Sequence, residues 1–220
     1  MNDIEIAPSI LSADFGVLVD EIRQVEPLCR FLHIDVMDGH YVPNISIGIP
    51  VIRTLRKHTD MIFDCHLMIS EPEKFIKRFA DAGCDYITFH VECTDDPERL
   101  CREIRDLGKK PGIAIHPNMP MEKIMPFVRC ADLILIMSVI PGFGGQKFME
   151  GTLERIAAVR AELDRLGSDA IISVDGGINN DTARMACDAG ARLLVAGNAV
   201  FGQEDHAGAV RDLLSCASQS

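Results

Sequence analysis

The chain has 220 residues, 47% of them hydrophobic, with a formal net charge of −11. That apolar content is enough to build a core, and the absence of long charge runs and low-complexity tracts excludes a disordered chain. The acidic balance excludes a nucleic-acid surface, which needs a basic face, but not a phosphorylated small substrate, which a few local amide donors can hold.

Short β-branched runs alternate with longer amphipathic stretches from end to end. Strands are predicted at "IEIAPSI" (4–10), "FLHIDVM" (31–37), "MIFDCHLMI" (61–69) and "DYITFHVE" (85–92). They continue at "PGIAIHP" (111–117), "DLILIMSV" (132–139), "AIISVDG" (170–176) and "RLLVAGN" (192–198). Between them, helical patterns cover 15–28, 72–82, 97–107 and 150–166, the last three each followed by glycine, a common helix stop. Strand followed by helix, eight times, implies a parallel sheet with helices packed outside it. Eight such units without a long linker predict one (β/α)₈ barrel domain over 1–220. An open doubly wound sheet is the rival, but "SILSADFG" after the first strand is not a GxGxxG fingerprint.

The eight cysteines are scattered, with no CxxC pair and no zinc-finger spacing, so free thiols are expected rather than a disulfide framework. The opening "MNDIEIAPSI" shows neither a basic region nor a long apolar run, and no segment approaches the roughly 18 apolar residues of a membrane span. The expected address is the cytoplasm, with no membrane or nucleic-acid partner.

A barrel puts its chemistry at the carboxyl ends of its strands. With period-two alternation, His33, Asp35 and Met37 share one face of the second strand, and Asp64, His66 and Met68 one face of the third. Asp175 closes the seventh strand. Any one buried His or Asp is readily satisfied by a backbone hydrogen bond. His33, Asp35, His66 and Asp175 together suit a divalent cation, whose coordination offsets the cost of burying them. Glycines crowd the three loops that follow: Gly142, Phe143, Gly144 and Gly145 after strand six, Gly176 and Gly177 after strand seven, Gly197 and Asn198 after strand eight. One glycine loop alone only makes a turn. Three neighbouring ones at the end of a barrel where phosphates bind predict a phosphate cradle. Met37, Met68 and Met137 sit at strand ends and fit either core filling or the wall of a dry chamber.

Taken in order, "SILSADF", "HIDVMDGHYVPN", "DCHLM", "MSVIPGFGGQKF" and "VDGGIN" resemble the ribulose-phosphate 3-epimerase family over residues 9–201. The resemblance implies a (β/α)₈ isomerase of cytoplasmic sugar-phosphate metabolism. It would interconvert D-ribulose 5-phosphate and D-xylulose 5-phosphate with one divalent ion (Zn, Fe, Mn or Co), as a dimer or hexamer. It implies that His33, Asp35, His66 and Asp175 ligate the metal, with Asp35 as base and Asp175 as acid. Ser9, His66, the three methionines, residues 142–145, Gly177, Gly197 and Asn198 would meet the substrate. Two positions depart from the pattern: His116-Pro117 stands where Asn-Pro is frequent, and Asn198 where Ser is common. The D-allulose-6-phosphate 3-epimerases resemble the chain less at "SILSADF" and the glycine loops, and a non-catalytic sugar-phosphate-binding barrel has no use for two opposed carboxylates. Decarboxylase relatives of orotidine-monophosphate decarboxylase carry DxKxxD on strand three, where this chain reads "DCHLMI".

The chemistry expected of such a site is inversion at carbon 3 of a 2-ketose through an enediolate. One carboxylate removes the proton and the other returns it from the opposite face.

Overall fold

Eight parallel strands form one sheet in the order β1-β8-β7-β6-β5-β4-β3-β2 in a computed structural model that describes residues 4–218. The remaining termini of the expected 1–220 domain, and with them the first three residues of the opening stretch read for a leader, lie outside the described residues. The strands are β1 (Glu5–Pro8), β2 (Phe31–Met37), β3 (Ile62–Met68), β4 (Tyr86–His90), β5 (Lys110–Ile115), β6 (Leu133–Met137), β7 (Ile171–Asp175) and β8 (Leu193–Ala196). A parallel bridge between Ser9 and His33 draws the β1 and β2 ends together and nearly closes the barrel.

Helices α1 (Leu18–Val25), α2 (Ile49–Leu55), α3 (Ile76–Ala82) and α4 (Pro97–Asp106) follow the first four strands. Helices α5 (Thr152–Leu166), α6 (Asn180–Asp188), α7 (Asn198–Phe201) and α8 (His206–Ala217) complete the outer layer. Local sequence explains their ends. Asp96 caps α4 by accepting from the Arg99 amide, with Pro97 at the first helical position where its missing N–H costs nothing. Asn179 and Thr182 form a reciprocal capping box on α6.

Three expectations need correction. Unit five has no α-helix: 3₁₀ turns at Met121–Lys123 and Met125–Cys130 fill the space instead. The sequence there, "PMEKIMPF", carries prolines at 120 and 126, and a proline in a helix interior removes a hydrogen bond and clashes with the preceding turn. The fourth strand stops at His90, and Val91–Cys93 turns as 3₁₀, which swings Glu92 back toward the barrel mouth. The first helix starts at Leu18 rather than near Phe15, after a turn in which Asp14 accepts from the Gly16 amide.

Two apolar layers follow from the strand alternation. Residues such as Leu32, Ile34, Phe63, Ile87, Ile113 and Ile134 point outward into the main core beneath the helices. Phe31, Tyr86, Leu133, Leu135, Leu193 and Val195 point inward and fill the barrel with a separate apolar plug. A buried aliphatic or aromatic side chain contributes ~1.5–3 kcal/mol, so these layers dominate stability. No helix among the described residues is long and apolar enough to cross a membrane. All eight cysteines are free thiols, five of them buried.

Candidate active site

The parallel register sets the polar residues side by side. Asp35 is opposite His66, His33 opposite Asp64, and Met37 opposite Met68 across β2 and β3. On the other side of the barrel, Met137 is opposite Asp175 across β6 and β7. These side chains share the inward face with the apolar plug and sit above it, toward the carboxyl ends.

One ligand atom from each of His33, Asp35, His66 and Asp175 lies within 4.8 Å of every other. His66 Nδ1 is 3.1 Å from Asp35 Oδ1 and 3.7 Å from Asp175 Oδ2. His33 Nε2 is 3.3 Å from the same Asp35 oxygen, yet this fully buried atom makes no hydrogen bond. A buried polar atom without a partner, aimed at two carboxylates and a second imidazole, is what a cation would satisfy. Two imidazoles and two carboxylates suit zinc and related divalent ions, so the donor set fits a metal.

Supporting contacts hold the four in place. Ser9 Oγ donates to Asp35 Oδ2 at 2.7 Å, so the serine anchors the carboxylate from just past the end of β1. Asp64, buried below, takes His33 Nδ1 at 2.7 Å. A carboxylate behind a histidine orients the ring and raises its basicity as a ligand. Sequence reading placed Asp64 on the right face without giving it this role. The only sequence signal was its place two residues before His66; the register that sets it beside His33 comes from the structure.

The carboxyl groups are pushed apart in acidity. Burial would raise Asp35, but the His33 and His66 imidazoles outweigh it and hold the group well below the usual carboxylate range. Burial and the charge of Asp35 push Asp175 up to about 6, against the opposing pull of the imidazoles. Burial would lower His33; the carboxylates of Asp35 and Asp64 override it and raise the imidazole well above its ordinary value.

Above the cluster opens a cavity of about 400 Å³. Asp35 and Asp175 reach its floor, with Ser9, Met37, Met68 and Met137 around them. Its upper wall is made by Gly142, Phe143, Gly144 and Gly145 on one side and Gly177, Gly197 and Asn198 on the other. His33 and His66 belong to the cluster but do not line the cavity; they lie under it, fully buried. Gly176 does not line it either. Its carbonyl accepts from Ser138 Oγ at 2.6 Å, so this glycine serves the turn.

Two glycines are required by close approach. At Gly177, with φ of +61°, a Cβ would lie 2.3 Å from the Phe148 amide nitrogen. At Gly197 it would lie 2.5 Å from Ser12 Oγ. Gly177→Ala is expected to force the strand-six and strand-seven loops apart. It should raise KM for a phosphorylated substrate by at least roughly tenfold and destabilise the fold by about 1–3 kcal/mol, measured by steady-state kinetics and denaturant melts.

Ser12, Gln146, Lys147, Asn179 and Thr182 also line the cavity and were not singled out from sequence. Gln146 lay inside a quoted motif. Its side-chain amide donates to the Ile140 and Phe143 carbonyls at 2.7 Å each and pins the glycine loop. Asn44 Nδ2 donates to the Gly142 carbonyl at 2.8 Å, tying the loop after β2 to the same wall.

A chain of polar groups runs away from the cluster. His66 Nε2 meets His90 Nε2 at 2.9 Å, and His90 Nδ1 meets the Tyr41 hydroxyl at 2.8 Å. Tyr41 donates to Glu92 Oε1 at 2.8 Å, and that oxygen also accepts from the His116 amide at 2.9 Å. Burial pushes His90 down to about 4, against the pull of Glu92. Burial would raise Glu92, but bonding and charge at His90 hold it at about 2. Asp38 delivers Tyr41: its Oδ1 accepts from the His40 and Tyr41 amides, while Oδ2 takes the Ser70 amide and hydroxyl. The His116 side chain accepts from the Asn118 amide and stays in its own turn.

Comparison with known proteins adds to this geometry. The profile of the ribulose-phosphate 3 epimerase family matches residues 5–201. The ribulose-phosphate 3-epimerase of Mycobacterium tuberculosis is 46% identical over 208 residues, covering 94% of this chain and 90% of that protein. That of Bacillus subtilis is 45% identical over 212 residues, covering 96% and 98%. Among solved structures, a 3-hexulose-6-phosphate synthase superposes with a TM-score of 0.75 at 18% identity, covering 98% of this chain and 100% of that one. An orotidine 5'-phosphate decarboxylase from Pyrococcus horikoshii superposes with a TM-score of 0.70 at 17% identity, covering 98% and 100%. At such identities these structures share the barrel alone.

Proposed function

The chain belongs to the ribulose-phosphate 3-epimerase family and is an isomerase; from that premise we propose that it interconverts D-ribulose 5-phosphate and D-xylulose 5-phosphate by proton transfer between Asp35 and Asp175. The observation that carries the reading is the pairing of two carboxyl groups on the floor of one cavity, from strands on different sides of the barrel.

Asp35, ionised and anchored by Ser9, is placed to take the proton from carbon 3 of the ketose in one direction. Asp175, on β7 across the barrel mouth, delivers a proton to the opposite face, and the roles exchange when the reaction reverses. Met37, Met68 and Met137 present apolar sulfur-bearing walls where the planar enediolate would lie, and they keep water from protonating it. The loops at 142–145, 177 and 197–198 hold the phosphate through backbone amides, with Lys147 on the same wall. His33, Asp35, His66 and Asp175 would hold one divalent ion, of the Zn, Fe, Mn or Co kind. When bound, it supplies Lewis-acid stabilisation of the negative charge that develops on the ketose oxygens.

The reading is tested by assaying ribulose 5-phosphate, allulose 6-phosphate and unphosphorylated ribulose side by side. The pentose phosphate is expected to be the best substrate. Free ribulose should lose at least roughly 10²-fold in kcat/KM, because binding energy remote from the reacting carbon supports its orientation. A higher kcat/KM on allulose 6-phosphate would move the assignment to the hexose enzyme. No turnover of any of the three would overturn it.

A further inference from the structure

The segment "DGHYVPNIS" (38–46) leaves the end of β2 and reaches the glycine wall after β6. We propose that it is a strut with two feet, Ser46 on the strand that carries Asp35 and Asn44 on the loop at 142–145, and that it fixes the distance between the phosphate wall and the base. Asn44 and Ser46 are then positioning residues. This rests on reading 142–145 as part of the phosphate site and Asp35 as the base.

The strand foot is a single hydroxyl. Ser46 Oγ donates to the Asp35 carbonyl at 2.5 Å and accepts from the Met37 amide at 3.0 Å, so it grips the backbone of β2 on both sides of Val36. The wall foot is a side-chain amide. Asn44 Nδ2 donates to the carbonyl of Gly142, a buried residue, at 2.8 Å. The span between the feet is braced. Asp38 pairs with Ile45 in an antiparallel bridge, and the Gly39 amide donates to the Asn44 carbonyl at 2.9 Å. Val42 is buried with Met37 and Met68. A Cβ on Gly142 would lie 3.4 Å from Val42 Cβ and 3.8 Å from Pro43 Cδ, so the strut also backs the wall by contact.

The wall has no second tie of this kind. Gln146 bonds to the Ile140 and Phe143 carbonyls, which pins the loop to itself. Among the described residues, Asn44 is the one side chain from outside the loop that hydrogen-bonds to residues 140–147. Without it the Gly142 carbonyl loses its donor, a costly state for a buried group, and the loop shifts to relieve it. A phosphate held on a wall fixed to the Asp35 strand brings carbon 3 to the carboxylate in register. Held on a wall that drifts, the same phosphate no longer orients the reacting carbon.

The experiment cuts each foot in the full chain: Asn44→Ala, Asn44→Asp (which keeps the shape and removes the donor), Ser46→Ala, and Asn44→Ala with Ser46→Ala together. Kinetics are read on ribulose 5-phosphate and on unphosphorylated ribulose, and inorganic phosphate affinity by isothermal titration calorimetry. Asn44→Ala should weaken phosphate binding by ~3–10-fold, the worth of one hydrogen bond, with Asn44→Asp falling at least as far. Either cut should lower the kcat/KM advantage of the phosphorylated substrate over free ribulose by a similar ~3–10-fold. Cutting both should cost little more than cutting one, because a single link is already broken. A part that only supports the fold would lower turnover of both substrates together and leave their ratio unchanged. That result, in variants shown by circular dichroism to be folded, would overturn the proposal. So would additive losses from the two feet, or undiminished phosphate affinity in both Asn44 variants. A wild-type chain that turns over neither sugar, yet binds phosphate more tightly than its Asn44 variants do, would support the wall foot while removing the epimerase reading beneath it. A wild-type chain that binds no phosphate would overturn both.

Discussion

Asp175→Asn is expected to lower kcat by ~10²–10⁴-fold, the contribution of a positioned general acid or base, with Asp35→Asn falling at least as far. Asparagine keeps the shape of the carboxyl group and its place on the cavity floor, but it neither takes nor returns a proton at this site. The two losses have different secondary signatures. Asp175 is partly open to the cavity, with 18% of its side chain exposed, and meets the cluster at His66 Nδ1, 3.7 Å away, so its amide should lower metal content less than that of Asp35. Asp35 is buried, takes the Ser9 hydroxyl, and contacts both imidazoles, so its amide also loosens the cluster and should lower metal content. Reading kcat beside metal content separates the two effects. Solvent deuterium should appear at carbon 3 of product made by the wild type. Near-normal turnover by either amide variant would end the two-aspartate mechanism, whatever the metal does.

Removal of the divalent ion is expected to have a comparable effect. Treatment with a strong chelator should reduce kcat by at least roughly 10²-fold, the loss that follows removal of a single donor to a developing oxyanion. Titration with Zn²⁺, Mn²⁺, Co²⁺ or Fe²⁺ should restore activity in proportion to bound metal, approaching one ion per chain. The grounds are the unpartnered His33 Nε2 and the convergence of four ligand atoms within 4.8 Å. Full activity in a protein shown by elemental analysis to hold no metal would refute this dependence and leave the carboxylate pair to act alone.

The barrel was legible because its signals are local and repeated. Each strand is a short β-branched run, and α3 and α5 stop at glycines 83 and 167, which hold the left-handed backbone of a helix end. Unit five broke the repeat because Pro120 and Pro126 prevent a helix in a segment whose place in the repeat called for one. The His33, Asp35, His66 and Asp175 set was visible from period-two alternation, which fixes the face of each side chain. What alternation does not supply is the register between strands. The pairing of His33 with Asp64 depends on it, and that is why a buried aspartate in plain view received no role. The Tyr41–His90–Glu92 chain was still less visible. It joins residues 49 and 51 positions apart and depends on a strand that ends at His90. Gly176 lies off the cavity for the opposite reason: a glycine beside Gly177 reads as part of the same loop, whereas its carbonyl serves the turn beneath.

The apolar plug of Phe31, Tyr86, Leu133 and Leu193 gives the barrel a sealed bottom. A well with a stopped base has one doorway, so traffic through it is serial: a spent sugar must back out before a fresh one descends. Forward and reverse passengers queue at the same threshold, and the direction of net flow belongs to their relative abundance outside, not to any one-way passage through the molecule.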